Sequence, residues 1–124
     1  MSDDPDFCPI TAATDLLGQK WTLLIVHYLH AEAPHRLRFC ELQQRLGGLN
    51  PATLSARLKR LESEGLVERI EIGQVLLHVE YTLTRKGSDL GPVVENLYAW
   101  GDRWLRGRDV RRTLKVRRTS RRNR

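Results

Sequence analysis

The stretch GGLNPATLSARLKRLESEGLVER, residues 47–69, limits the possible folds more than any other part of the chain, because it contains a turn, a helix start, a helix and a helix stop in that order. Gly47 and Gly48 allow the backbone to turn with positive φ. Asn50 can cap the exposed amides of a helix start, and Pro51 has the fixed φ that suits the first helical position. Leu54, Leu58 and Leu61 then fall at i, i+4 and i+7 and would bury, while Ala52, Ser55, Ala56 and Lys59 project from the opposite side. Gly65 supplies the stop. Just upstream, Phe39, Leu42 and Leu46 share one face of a helix of about two turns. Two helices joined by a short glycine-containing turn, the second with small and basic residues on its open face, fit helix-turn-helix geometry.

The rest of the chain builds around this pair. Ile10, Ala13 and Leu17 lie at helical spacing between Pro9 and Gly18, which predicts a short first helix. Trp21, Leu24, Ile25, Tyr28 and Leu29 form the apolar stripe of a second helix over Lys20 to Ala31. HRLRF, after Pro34, reads as an edge strand. Beyond Gly65, residues 66–72 and 75–83 are rich in β-branched and aromatic residues, with a turn at Gly73-Gln74, and predict a hairpin. From Thr84 onward Leu90, Val93, Val94, Leu97 and Trp104 follow helical spacing, interrupted by Gly91 and Pro92. Tyr98, Trp100 and Trp104 add more apolar surface than so small a domain needs internally, which points to dimerisation. The expected fold class is α+β, mainly α: a winged helix-turn-helix with a small β-hairpin wing and a C-terminal dimerisation helix.

Length and charge narrow the function. At 124 residues the chain fits one domain of the usual ~100–200 residues and leaves no room for a separate catalytic domain. No apolar run approaches the ~20 residues that cross a bilayer. The start carries Asp3, Asp4 and Asp6 where a secretory signal would carry basic residues, so a cytoplasmic location without membrane contact is expected. The net charge is +6. Residues 106–124 contribute ten basic residues and one acid, a net +9, whereas residues 1–105 hold 11 basic and 14 acidic residues, a net −3. The chain therefore divides into a winged helix-turn-helix domain at 1–105 and a disordered basic C-terminal arm at 106–124. The arm either grips phosphates without sequence preference or serves as a solubilising tail.

Cys8 and Cys40 are too few and too far apart for a disulfide framework or a clustered zinc site. Cys8 sits just before the first helix, where the helix dipole could lower its thiol pKa; the other reading is a partly buried structural residue. Cys40, beside Phe39, reads as inert. His27 and His30 are one helical turn apart, with His35 and Glu32 nearby, but no ligand spacing confirms a metal site, and no metal or cofactor is expected. No nucleophile, base and orienting residue stand in recognisable order, and no phosphate-cradling glycine loop is present, so catalysis is not expected.

Five segments stand in order along the chain: Cys8-Pro9, GQKWTLLIVHYL from Gly18, RFCEL from Arg38, LSARLKRLESEGLVER from Leu54 and VEYTLTRKG from Val79. With these segments at these spacings the chain resembles the HxlR-type family of winged helix-turn-helix transcriptional regulators over nearly all of residues 8–104. The resemblance implies a homodimer on double-stranded operator DNA, usually across two symmetric half-sites, that represses or activates nearby genes. Some members of that family use the cysteine corresponding to Cys8 to sense oxidants or electrophiles, which implies a small-molecule or oxidant effector.

The candidate DNA-binding residues are Asn50, Ala52, Thr53, Ser55, Ala56, Arg57, Lys59 and Arg60. Phosphates need only charge and amides, which suits Arg57, Lys59 and Arg60; base edges need close approach, which suits Ala52, Ser55 and Ala56, with Asn50 and Thr53 at the helix start. Lys20, Arg36 and Arg38 are further candidates for backbone contact. The chain departs from the family pattern at residues 73–77, which place no Lys or Arg at the wing tip, and in the basic arm. Two other functions compete. One is a protein-assembly module using Val75, Leu76, Leu77 and the terminal helix. The other is RNA binding led by the arm, against which the aromatics sit on helical stripes rather than an open platform.

Overall fold

The computed structural model describes residues 4–108. Its elements run α1 (Pro9–Leu17), α2 (Thr22–Glu32), β1 (Leu37–Arg38), α3 (Phe39–Arg45), α4 (Pro51–Ser63), β2 (Val67–Ile72), β3 (His78–Leu83), α5 (Arg85–Ser88) and α6 (Gly91–Leu105). The three strands form one antiparallel sheet in the order β1-β3-β2. This is the winged helix-turn-helix expected from the sequence, with β1 as the edge strand.

The core lies where α2, α3 and α4 meet the sheet. Ile25, Val26 and Leu29 of α2, Leu42 of α3, Leu46 and Leu49 of the following turn, and Leu54, Leu58 and Leu61 of α4 are all buried, with Leu37, Leu66, Val67, Tyr81 and Val94 closing the cluster. The α2 stripe differs from its periodic reading. Val26 is fully buried, whereas Trp21, Leu24 and Tyr28 are only half-buried, and α2 begins at Thr22 because Trp21 takes a left-handed backbone with φ 83.

Two further elements depart from the sequence reading. The composition predicts a strand from Val75 and a two-residue turn, but β3 begins at His78 and residues 73–77 form a loop. Register decides this. The ladder pairs Val67 with Leu83, Arg69 with Tyr81 and Glu71 with Val79, which puts buried Val67 and Tyr81 on the core side; a pairing that started at Val75 would move Val67 opposite Glu80. The surplus residues are extruded, and Val75 is 94% exposed and Leu76 85%.

Gly91 and Pro92 do not interrupt the last helix; they begin it. Proline fits the first turn of a helix, where its missing N–H costs nothing, and Gly91 leaves no space for a Cβ because the His30 ring of α2 packs against it. The preceding turn is the separate α5, capped by the Thr84 hydroxyl, which accepts from the Gly87 N–H at 3.1 Å. The first helix has no buried residue, and Ile10 is 72% exposed. Among the described residues no helix is long and apolar enough to cross a membrane.

Candidate nucleic-acid interface

Helix α4 is organised by its own sequence. Asn50 accepts hydrogen bonds from the Ala52 and Thr53 N–H groups at 2.8 and 3.3 Å, the N-cap arrangement that satisfies otherwise orphaned amides. Gly47 and Gly48 in the preceding turn have φ of 76 and 82, and Gln43 Nε2 donates to the Leu49 carbonyl at 2.9 Å, tying α3 to the start of α4. With Leu54, Leu58 and Leu61 buried, Ala52, Ala56, Lys59 and Arg60 are exposed, and Thr53, Ser55 and Arg57 are half-buried on the flanks.

The candidate basic residues have different surroundings. Lys59 makes no hydrogen bond or ion pair among the described residues, so its ammonium is available to a partner. Arg60 pairs with Glu64 one turn on, at 3.3 Å, an exposed i,i+4 pair of small energetic weight. Arg57 is tethered at one nitrogen: its Nε donates to the Lys20 carbonyl at 3.0 Å. Lys20 itself lies over the Trp21 ring, 5.1 Å from its centroid. Arg36 pairs with Glu80 at 3.7 Å. Arg38 closes the start of α3, its N–H donating to Glu41 Oε1 at 2.7 Å. These two arginines serve the sheet edge rather than α4.

A cleft of about 470 Å³ opens between α4 and the sheet, lined by Ser55, Lys59 and Glu62 of α4, Arg69 of β2, Tyr81 of β3 and Phe39 of α3. Arg69 is the residue that reading the sequence missed. Alternation along β2 carried the signal, since it places Arg69 on the side of the sheet shared with Val67 and, by cross-strand pairing, with Tyr81. Its charge is held by Glu71, whose carboxylate lies 2.7 Å away and raises the guanidinium pKa further.

Away from α4, Cys8 is the N-cap of α1 and its Sγ accepts from the Thr11 N–H at 3.4 Å. The Thr11 side chain, then the Thr11 and Ile10 backbone amides, hold the thiol pKa below its ordinary value, and Cys8 is exposed. Hydrogen bonds to the Thr11 side chain and to the open amides of the helix start account for this. Cys40 is also exposed. His30 bonds to Glu95 of α6 at 2.6 Å, while Glu32 pairs with Arg45, so the histidine and the acid two residues on are separately engaged.

The chain is similar to known proteins along most of its length. A family model described as HxlR-like helix-turn-helix matches residues 16–109. The HTH-type transcriptional regulator BH0655 of Halalkalibacterium halodurans is 42% identical over 93 residues, covering 75% of this chain and 80% of that protein. The reduced form of the transcriptional regulator YodB from Bacillus subtilis superposes with a TM-score of 0.68 at 35% identity, covering 83% of this chain and 99% of that one. The redox regulator HypR in its oxidised form superposes with a TM-score of 0.69 at 30% identity, over 77% of this chain and 95% of that one. With its fold, its capped and open-faced α4 and these relatives in agreement, the chain belongs to the HxlR-like helix-turn-helix family, whose curated relatives here are transcriptional regulators.

Proposed function

We propose that this protein is a homodimeric regulator that reads operator DNA with α4, and that the state of its Cys8 thiol adjusts that binding. The observation that carries the reading is the outer surface of α4. Ala52 and Ala56 leave room for close approach to base edges, Ser55 and Thr53 supply hydroxyls, and the unpaired ammonium of Lys59 faces outward. Asn50 fixes the helix start from which Thr53 projects. Arg57, Lys59 and Arg60 supply the cations for phosphates.

The second copy is supported by α1 and α6. Val93, Leu97, Tyr98, Trp100 and Trp104 of α6 are exposed together with Ile10 of α1 and Phe7 before it, and apolar surface of this extent marks an interface. Thiol control is supported by the lowered pKa and the exposure of Cys8 and by the likeness to HypR, a redox regulator. An oxidant or electrophile is the effector this reading takes. The basic arm, of which 109–124 lie outside the described residues, adds sequence-independent attraction to phosphate. The protein acts in the cytoplasm and performs no catalysis.

The test is competitive binding of the protein to DNA from upstream of its own gene against random DNA at physiological salt, for the full chain and for residues 1–105. Preference for the upstream fragment that survives truncation is the expected result. Equal affinity for both DNAs, or loss of all binding on truncation, leaves contact to the arm alone and sinks the reading. For the thiol, a mild oxidant is expected to weaken operator binding; unchanged binding, with no crosslinked dimer on a non-reducing gel, removes Cys8 from the mechanism.

A further inference from the structure

At about 100° per residue, α4 presents two distinct flanks beside its exposed face. Ser55 and Glu62 lie on the flank that meets the cleft with β2. Arg57 lies on the other, and its Nε is bound to the carbonyl of Lys20, which is 37 residues earlier in the chain and in the turn between α1 and α2.

That turn is built in an unusual way. The Lys20 carbonyl belongs to the peptide that precedes Trp21, and Trp21 has φ 83, a conformation that side-chain-bearing residues avoid. The left-handed φ fixes the plane of the Lys20–Trp21 peptide and with it the direction of the carbonyl. Trp21 is held there from both sides. Its own carbonyl accepts the Ile25 N–H at 2.9 Å, and its ring carries the Lys20 ammonium 5.1 Å from the centroid. One short turn thus fixes a carbonyl and positions a cation.

Arginine can use the carbonyl through Nε and keep its terminal donors for another ligand. With Nε committed to the carbonyl, the two terminal nitrogens form the end of a rigid planar fork, and Arg57 makes no other hydrogen bond among the described residues. We propose that Arg57 and Lys20 together form a clamp for one DNA phosphate at the edge of α4: the fork takes two phosphate oxygens, the Lys20 ammonium adds a second charge, and the Lys20 carbonyl orients the fork. A phosphate is the fitting ligand because the fork matches two oxygens side by side and because the site lies on the flank of α4 rather than its centre. Arg57 is therefore a gripping and positioning residue and does not read bases. The clamp rests on the DNA-binding reading of α4.

The experiment measures the salt dependence of affinity for full-length wild type, Arg57→Gln, Arg57→Lys and Lys20→Gln on the upstream fragment and on random DNA. Loss of the Arg57 charge is expected to make the log–log slope in Arg57→Gln shallower, by at most about 0.9 per protomer because Lys20 stays on the same phosphate, equally on both DNAs. Arg57→Lys is expected to restore the slope yet to bind roughly tenfold more weakly than wild type, the equivalent of one charge-assisted hydrogen bond, because lysine has no Nε to hold the carbonyl and no fork. Lys20→Gln leaves the backbone carbonyl in place, is expected to weaken binding on both DNAs, and carries the test if Arg57→Gln does not fold. An unchanged slope and affinity in the folded variants overturns the clamp while leaving DNA binding intact. So does full rescue by Arg57→Lys, or a loss confined to one base pair of the upstream fragment. Absence of DNA binding by the wild type overturns the reading of α4 and the clamp with it.

Discussion

Helices α4 and α6 carry apolar residues at similar spacing, and the fold treats them in opposite ways. In α4, Leu54, Leu58 and Leu61 are all buried. In α6 only Gly91 and Val94 are buried, while Trp100 is 55% exposed and Trp104 62%. Helix α4 also starts on its own terms, with the Asn50 side chain as cap, whereas α6 has no side-chain cap and is fixed by contacts with α2, through His30 against Gly91 and Glu95. The difference teaches that α4 is completed within one chain and offers its outer face to a ligand. Helix α6 leaves its apolar stripe uncovered within one chain, and that stripe is the surface the proposed dimer would bury.

This comparison can be broken at either helix. The largest effect is expected in the α4 stripe: Leu58→Ala removes a fully enclosed side chain and is expected to lower stability by about 2–5 kcal/mol in chemical denaturation. An effect below ~1 kcal/mol would mean that the core tolerates the cavity and that α4 is not its centre. Next comes the α6 stripe. Trp100→Glu with Trp104→Glu is expected to leave the monomer folded, because both residues are exposed, but to abolish the dimer in light scattering. Operator affinity is then expected to fall by about 100-fold as the avidity of two linked half-site contacts is lost. A variant that remains dimeric would move the interface off α6.

Smaller effects sharpen the comparison at the helix starts. Asn50→Ala is expected to cost about 1 kcal/mol of stability, the usual value of an N-cap, and to weaken DNA binding beyond that cost if α4 must be held at this angle. In a Cys40→Ser background, the rate of Cys8 alkylation is expected to rise with pH through a midpoint below that of a free thiol. The hydrogen bonds stabilise the thiolate, so the proton leaves at lower pH. Thr11→Ala removes the largest of these influences, and the midpoint is expected to move up. A midpoint that ignores the Thr11→Ala change would show that the Thr11 hydroxyl does not govern the thiol.

The contrast between the two helices also explains what could be read from the sequence. Every signal in α4 is local: Gly47 and Gly48 turn the chain, Asn50 and Pro51 start the helix, three leucines set its inner face, and Gly65 ends it with φ 79. The start of α6 was not legible in the same way. Gly91-Pro92 resembles a break until the His30 ring is seen to occupy the space beside Gly91, a contact made between residues far apart in sequence. The wing loop has the same origin, since the burial of Val67 and Tyr81 sets the register and extrudes residues 73–77. At the site, the eight candidate residues do lie along one helix, but the partners that distinguish them are distant. The Lys20 carbonyl that holds Arg57 and the β2 strand that brings Arg69 beside Lys59 both arrive by tertiary folding.

The central claim, that α4 reads DNA from two copies joined through α1 and α6, is tested most directly by a hydroxyl-radical footprint of the full-length protein on its upstream fragment. The account predicts two protected patches related by a two-fold axis, with centres about 10 base pairs or a small multiple of that apart, as two recognition helices on one face of the duplex require. A single patch, or uniform protection that follows the basic arm along the DNA, would contradict it.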